Sequence, residues 1–186
     1  MNLQLPVRDR ILDSASRLFY AEGIRSISAD RIIADAQTTK VTFYRHFRSK
    51  DDLVVAYLER QSALMRQRAG ELDPDPCTAL LQLAGAMGSE ACSPGFRGCP
   101  FINAAAEYAD PTHPARAVVA GHRKWLHGLV TDRLAALQVP EPAEVANQLL
   151  MLRDGAMVFG YVDDASGVGA VLADAGRALV AQRRLR

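Results

Sequence analysis

The sequence has few cysteines and no long hydrophobic run, and both shortages exclude classes of protein. Three cysteines among 186 residues are too few for a disulfide scaffold, and their odd number leaves at least one thiol unpaired. No stretch of about 18 uncharged apolar residues is available for a membrane span, and residues 1–10 lack the apolar core of a signal peptide. We therefore expect a cytoplasmic protein that makes no membrane contact.

Glycine and proline are also too scarce, at 13 and 9 residues, for a collagen-like or disordered chain. A hydrophobic fraction of 49% suffices for a folded core. The length fits one or two globular domains of roughly 100–200 residues each.

Signatures of catalysis and metal binding are missing as well. The chain has no phosphate-binding glycine loop, no G-x-S-x-G elbow and no H-E-x-x-H motif, so we expect neither an enzyme nor a bound cofactor. His122 and His127 are close in sequence, but on a helix they lie about 140° apart and do not share a face. We expect no metal site.

Net charge is low in total but uneven along the chain. Lysine and arginine number 22 against 21 acidic residues, for a formal charge of +1. Residues 1–50 hold nine basic and five acidic side chains, a charge of +4, and residues 51–186 carry −3. This distribution is typical of a DNA-binding module joined to a domain with another role. An ordinary solvated surface of mixed charge can give the same two segment charges.

Hydrophobic periodicity predicts helices nearly throughout and strands almost nowhere, which indicates an all-α fold. A first helix over about residues 7–22 has an apolar stripe and is closed by a glycine. Ser28 is suited to cap a short second helix. Thr38 can cap a third helix, in which Phe43 and Phe47 share a buried face.

Two short helices joined by a tight turn, with a polar and cationic face on the second, form the pattern of a helix-turn-helix. In the major groove Thr39 and Thr42 can approach base edges and thymine methyl groups, and Arg45 can contact bases or phosphates. The side chains suited to phosphate contacts are Lys40, Tyr44, His46 and Lys50. Spacing alone does not separate this interpretation from a plain helical hairpin with an exposed charged face.

Three groups of residues at fixed spacing resemble the N-terminal domain of the tetracycline-repressor (TetR) family. They are RILDSASRLF at residues 10–19, Glu22–Gly23, and TFYRHFRSK at residues 42–50 followed by Asp52–Leu53. The resemblance extends over about residues 7–60. It implies a homodimeric, all-helical transcriptional regulator, usually a repressor, whose third helix binds a palindromic operator. It also implies a C-terminal domain that binds a small effector and thereby releases the DNA.

Position in the motif implies DNA contacts from the third helix and from the start of the second. The matching positions are Ser28, Lys40, Thr42, Tyr44, His46 and Lys50. Two other positions depart from the family pattern, in which glycine is frequent. Gln37 places a side chain in a turn that often requires φ > 0, and Val41 offers methyl groups that either select a thymine or pack inward.

The remaining residues, 51–186, are predicted to form a second helical domain after a DNA-binding domain at residues 1–50. A long helix is predicted over residues 50–70 before a Pro-rich break, and such a helix can transmit a tilt between domains. Further helices are expected over residues 77–91, from Pro100 to Asp110–Pro111, over residues 114–137, and twice more at the C-terminus.

The last two helices carry apolar stripes that bear on oligomeric state. The stripes comprise Val145, Leu149, Leu152, Ala156 and Phe159, then Val168, Val171, Leu172, Ala175 and Leu179. In the family the two final helices pair with their symmetry mates as a four-helix bundle, so the resemblance implies a homodimer interface here. From the residues alone, both stripes can equally face the intrachain core. A two-fold dimer separates its recognition helices by roughly 34–36 Å, which implies a palindromic site.

The sequence identifies the residues of an effector pocket less clearly than those that contact DNA. An apolar and aromatic set with few polar groups suits a small-molecule cavity, although each member is also typical of ordinary core. The candidates are Met87, Phe96, Phe101, Asn103, Tyr108, His122, Trp125, Met151 and Phe159.

Cys92 and Cys99 suggest a further hypothesis. Two thiols across a short loop, one of them near a helix N-terminus, can sense oxidants or electrophiles. The alternatives to a repressor are therefore a thiol-based sensor, an all-α small-molecule-binding protein, or a module that presents its basic hairpin to an acidic protein.

Overall fold

The computed structural model describes residues 5–185 and folds them into nine α-helices with no β-strand. The all-α fold predicted from the periodicity is confirmed. The helices are α1 Val7–Glu22, α2 Ala29–Asp35, α3 Lys40–His46, α4 Lys50–Gly70, α5 Pro76–Ala91, α6 Pro100–Glu107, α7 Pro114–Ala136, α8 Pro142–Val162 and α9 Val168–Arg184.

The chain divides into two compact units. The first contains the described residues up to Arg66 together with Pro100–Ala120. The second contains Gln67–Cys99 together with the described residues from Gly121 onwards. Helix α6 and the first turns of α7 therefore belong to the same unit as the N-terminal helices, although they are distant from them in sequence.

Helix α1 supplies much of the core of the first unit. It ends at Gly23, whose φ of 90° suits glycine and strains other residues, and whose N–H donates to the carbonyl of Phe19 at 3.0 Å. The bounds predicted for this helix are confirmed. Its buried stripe consists of Ile11, Leu12, Ala15, Leu18 and Phe19.

Proline begins four of the helices, where its missing N–H costs nothing and its φ is already helical. The long helix predicted over residues 50–70 is present as α4, with the predicted bounds. Helix α6 ends at Glu107, before the expected Asp110, because the Asp110 carboxylate accepts the N–H and the hydroxyl of Thr112 in a turn. The four prolines are Pro76, Pro100, Pro114 and Pro142.

The second unit has its own hydrophobic core, formed by α7, α8 and the segment between them. Val145, predicted at the dimer interface, lies inside this core and is fully buried within the chain. Its side chain therefore packs against its own helices, and the interface interpretation is corrected at this position. The buried residues of the core are Val130, Leu134, Val139, Val145, Ala146 and Leu150.

Candidate nucleic-acid interface

The turn between α2 and α3 fixes the geometry of the helix-turn-helix. Ser28 caps α2 as predicted, because its hydroxyl accepts the N–H of Arg31 at 3.2 Å. Gln37 has a φ of 49°, so the left-handed conformation expected for this turn is present without a glycine. The N–H of Thr38 then donates to the carbonyl of Ile33 at 3.1 Å and closes the turn.

Thr39, not Thr38, caps α3, and the sequence prediction was wrong here. The Thr39 hydroxyl accepts the N–H of Thr42 at 3.2 Å, and the two threonine hydroxyls are 2.9 Å apart. Thr38 lies one residue too early for this role, because α3 begins at Lys40 and Thr38 still belongs to the preceding turn. The cap orients both hydroxyl groups at the first turn of α3.

The rear of α3 is held by aromatic packing. Phe43 and Phe47 are buried, as predicted, with ring centroids 6.2 Å apart. Phe43 also meets the ring of Tyr44 edge-on at 5.1 Å. Because the buried rings fix the rotation of the helix, the remaining side chains of α3 must face away from the core.

The opposite side of α3 is open to solvent. Lys40, Tyr44, Arg45 and His46 are exposed there, and Thr42 is half-buried. Val41 is 71% exposed, so the inward-packing alternative is excluded for it. This face combines two cations, an aromatic ring and an apolar side chain without burying any of them, which is a composition suited to a DNA groove.

Ion pairs hold several of the cations around this face. The ammonium of Lys40 lies 3.3 Å from the Asp30 carboxylate, and both side chains are exposed. Such a pair is worth little in water, so phosphate can replace the carboxylate at small cost. Arg31 makes a two-point contact with Glu22, at 2.7 and 2.6 Å, between α2 and the end of α1.

Lys50, at the first position of α4, was predicted to contact phosphate, and its side chain also makes contacts within the protein. Its Nζ donates to the carbonyl of Arg25 at 3.5 Å and lies 5.9 Å from the centre of the Phe19 ring. Burial lowers the pKa of Lys50, although Asp51 and Glu107 act in the opposite direction. The ammonium is thus partly oriented by the protein before any DNA arrives.

Glu107 is a residue of this unit that the sequence interpretation gave no role. Its carboxylate accepts the N–H of Ile24 at 2.9 Å and that of Arg25 at 2.6 Å. Both donors are in the loop between α1 and α2. No local signal marks this contact, because 83 residues separate Glu107 from Ile24.

The residues after Glu107 contact the start of α4. The Tyr108 hydroxyl donates to Asp51 at 3.3 Å, and the Tyr108 ring stacks on that of His113 at 4.0 Å. His113 Nε2 is 3.5 Å from the same carboxylate. Burial, with help from Asp51, raises the pKa of Tyr108 to about 12, so at neutral pH this hydroxyl keeps the proton that it donates.

The nine candidates for an effector pocket are not gathered in either unit. Phe101, Asn103 and Tyr108 belong to the first unit, and the other six belong to the second. Phe101 is buried in core packing. His122 is also buried, with its ring 5.3 Å from that of Trp125. Met87 and Phe96 are half-buried.

Met151 and Phe159 instead line an apolar groove on α8 and α9, where they are 66% and 53% exposed. The groove has a volume of about 660 Å³ and includes eight of the ten residues predicted at the dimer interface. Leu149 is half-buried and packs against the core beside Val145. The lining residues are Gln148, Met151, Leu152, Gly155, Ala156, Phe159, Ser166, Val168, Val171, Leu172, Ala175 and Leu179.

The cysteines of the loop before α6 have different surroundings. Cys92 is exposed and its thiol donates to the carbonyl of Ala165 at 3.4 Å. Cys99 is buried, and the Nη2 of buried Arg153 lies 3.5 Å from its sulfur. Burial disfavours the Arg153 charge, but the Cys99 sulfur and the Asp154 carboxylate, 2.8 Å from Nη1, outweigh this and raise the pKa of Arg153.

Two kinds of feature are absent from residues 5–185. No group of three or more histidine, cysteine or acidic side chains is placed to hold a metal ion. In the same range, no helix is both long enough and apolar enough to cross a membrane.

Comparison with known proteins places this geometry in a family context. The family of bacterial regulatory proteins called tetR matches residues 11–57. The chain is 39% identical to a TetR-family transcriptional regulator from Streptomyces coelicolor of known structure, and the match covers 95% of each chain with a TM-score of 0.89.

Two further relatives match more narrowly in sequence. YvkB, an uncharacterised HTH-type regulator of Bacillus subtilis, is 32% identical over 74 residues, which are 38% of this chain and 39% of that protein. The transcriptional repressor NemR of Escherichia coli is 34% identical over 65 residues, 35% of this chain and 33% of NemR. The structure of the reduced form of NemR aligns over 94% of this chain and 97% of its own, at 21% identity and a TM-score of 0.82.

Proposed function

Because the chain belongs to the TetR family of bacterial transcriptional regulators, we propose that it is a repressor that binds a palindromic operator as a homodimer. A small effector releases it from the DNA. As a regulator of this kind it acts in the cytoplasm and is not an enzyme. The observation that carries the proposal is the solvent-facing side of α3, which presents Lys40, Val41, Tyr44, Arg45 and His46 while Phe43 and Phe47 anchor the helix from behind.

We assign the DNA contacts by chemistry. Thr39 and Thr42 lie at the first turn of α3, where a recognition helix meets base edges. Arg45 can donate to a guanine or to a phosphate. The cationic and hydroxyl groups around them, Ser28, Lys40, Tyr44, His46 and Lys50, contact the phosphate backbone.

The homodimer is supported by the apolar groove of α8 and α9. Its most exposed large apolar side chains, Met151, Phe159 and Val171, form an apolar patch of the kind that marks a protein interface. A second copy of the chain has the same patch, so a two-fold pairing covers both at once. Such a dimer presents two α3 helices to successive turns of a palindrome.

Replacing Lys50 by alanine should weaken binding to every DNA sequence. Loss of one phosphate contact lowers the slope of log affinity against log salt by about one unit. The measurement is a salt titration of binding to an operator selected by the wild-type protein from random duplexes. Lys124→Ala, an exposed lysine of α7, is the matched control and should leave the slope unchanged.

Two outcomes would revise this proposal. If the wild-type protein selects no palindrome, it is not a repressor of this kind. If Lys50→Ala relaxes the preference at one base pair and leaves the slope intact, Lys50 contacts a base, and its assignment to phosphate is wrong.

A thiol-based sensor is the second candidate, and the contact of Cys99 with Arg153 favours it. The Arg153 Nη2 lies 3.5 Å from the Cys99 sulfur, and the thiolate is the form of cysteine that reacts with oxidants. With hydrogen peroxide, the thiolate attacks one oxygen, an S–O bond forms as the O–O bond breaks, and hydroxide leaves. The NemR structure named above is of a reduced form, and this likeness is consistent with redox chemistry in the fold.

Mild peroxide treatment tests this candidate. Oxidation of Cys99, followed by mass spectrometry, should lower operator affinity about ten-fold, and Cys99→Ser should abolish the response. Cys77→Ser and Cys92→Ser, at the two exposed cysteines, are controls that should respond like the wild type. Unchanged affinity with Cys99 fully oxidised would exclude the sensor.

A further inference from the structure

Glu107 joins the end of α6 to the loop between α1 and α2. Its two carboxylate oxygens each accept one backbone N–H, from Ile24 at 2.9 Å and from Arg25 at 2.6 Å. Hydrogen bonds to a charged acceptor are stronger than those between neutral groups. Gly23 makes the approach possible, since its φ of 90° turns the chain so that the next two N–H groups face the carboxylate.

Arg25 is also contacted by Lys50. The Lys50 ammonium donates a hydrogen bond to the carbonyl of Arg25 at 3.5 Å. Tyr108, next to Glu107, donates to Asp51, next to Lys50, at 3.3 Å. The end of α6 and the residue after it therefore contact two other segments of the first unit. These are the loop between α1 and α2 and the first turn of α4.

We propose that Glu107 is a positioning residue for DNA binding, which holds the α1–α2 loop and, through Arg25, the Lys50 ammonium in the pose that engages phosphate. This inference rests on the proposed function and adds a residue that positions its DNA-binding surface. Glu107 touches no DNA itself. Its influence passes through the backbone that leads to Ser28 and α2.

Glu107→Gln tests the proposal without changing the shape of the side chain. The amide keeps one acceptor oxygen but turns an N–H₂ group toward a backbone donor. We expect operator affinity to fall about ten-fold, with the salt slope lowered by less than the one unit expected of Lys50→Ala, because the ammonium is still present but is no longer held in place. Amide hydrogen exchange at Ile24 and Arg25 should accelerate while exchange elsewhere in the unit is unchanged.

Two further variants complete the test. Glu59→Gln, at an exposed glutamate of α4, is the matched control and should bind like the wild type. Tyr108→Phe removes only the hydroxyl that reaches Asp51, and should lower affinity about three-fold in the same direction. It keeps the proposal testable if Glu107→Gln folds poorly.

The outcomes separate this inference from the proposed function. If the wild type binds an operator and Glu107→Gln binds it equally well, the positioning role is overturned and the repressor stands. If Glu107→Gln lowers protection throughout the unit, Glu107 is merely structural and the inference is also overturned. If the wild type binds no DNA, both the inference and the proposed function fail.

Discussion

Replacing Val171 by aspartate is expected to convert the proposed homodimer into folded monomers. Val171 lines the apolar groove of α8 and α9 and is 69% exposed in the single chain, so a charge there is tolerated by the monomer. Pairing would bury a carboxylate from each copy at a cost of several kcal/mol per ion. The dimer dissociation constant should therefore rise by at least about a hundred-fold.

Loss of the dimer should also weaken operator binding, because a monomer contacts one half-site and loses the affinity gained by linking two. Sedimentation at micromolar concentration measures the first effect and DNA binding measures the second. Ala181→Asp, an exposed position of α9 that does not line the groove, is the matched control and should remain dimeric. A Val171→Asp protein that is still dimeric would place the interface elsewhere.

Replacing Gly88 by alanine is expected to destabilise the second unit by about 2 kcal/mol. A Cβ at Gly88 would lie 2.7 Å from the Cα and 2.9 Å from the N of Gly169, and backbone atoms in packed helices cannot move aside as a flexible side chain can. Overpacking of this kind costs about 1–3 kcal/mol. Helices α5 and α9 must separate to admit the methyl group.

Gly85→Ala is the matched control for this prediction. Gly85 is in the same helix, and a Cβ there would meet no atom within 4 Å, so the substitution should stabilise the protein by about 0.5–1 kcal/mol through helix propensity alone. Denaturant unfolding at one fixed protein concentration measures both, because dimerisation makes stability depend on concentration. Equal effects at the two glycines would contradict the close approach of α5 and α9.

Most helices could be predicted because the relevant physics is local. Each helix signal depends only on residues near it in sequence. Examples are the apolar stripe of α1, the glycine that ends α1 and the prolines that begin later helices. The aromatic pair Phe43 and Phe47 likewise fixed which side of α3 is buried. The cap of α3 was the exception, since choosing between Thr38 and Thr39 depends on the residue at which the preceding turn ends and α3 begins.

Apolar stripes on α8 and α9 show where local information ends. The sequence places Val145 and Leu152 on one seam, but only packing decides that Val145 is enclosed by its own chain while Leu152 opens onto the groove. Periodicity identifies an apolar face. It does not state whether that face meets another part of the same chain or a second copy.

By itself, the sequence determined the helical fold, the helix-turn-helix and the family, since all three depend on patterns that recur within a few turns of helix. Tertiary structure alone decided the contact of Glu107 with Ile24, across 83 residues, and that of Cys99 with Arg153, across 54. No periodicity reports such pairs. They form because folding brings distant segments together. Only in the folded chain does the Glu107 carboxylate accept backbone N–H groups and the Cys99 thiol contact a buried guanidinium.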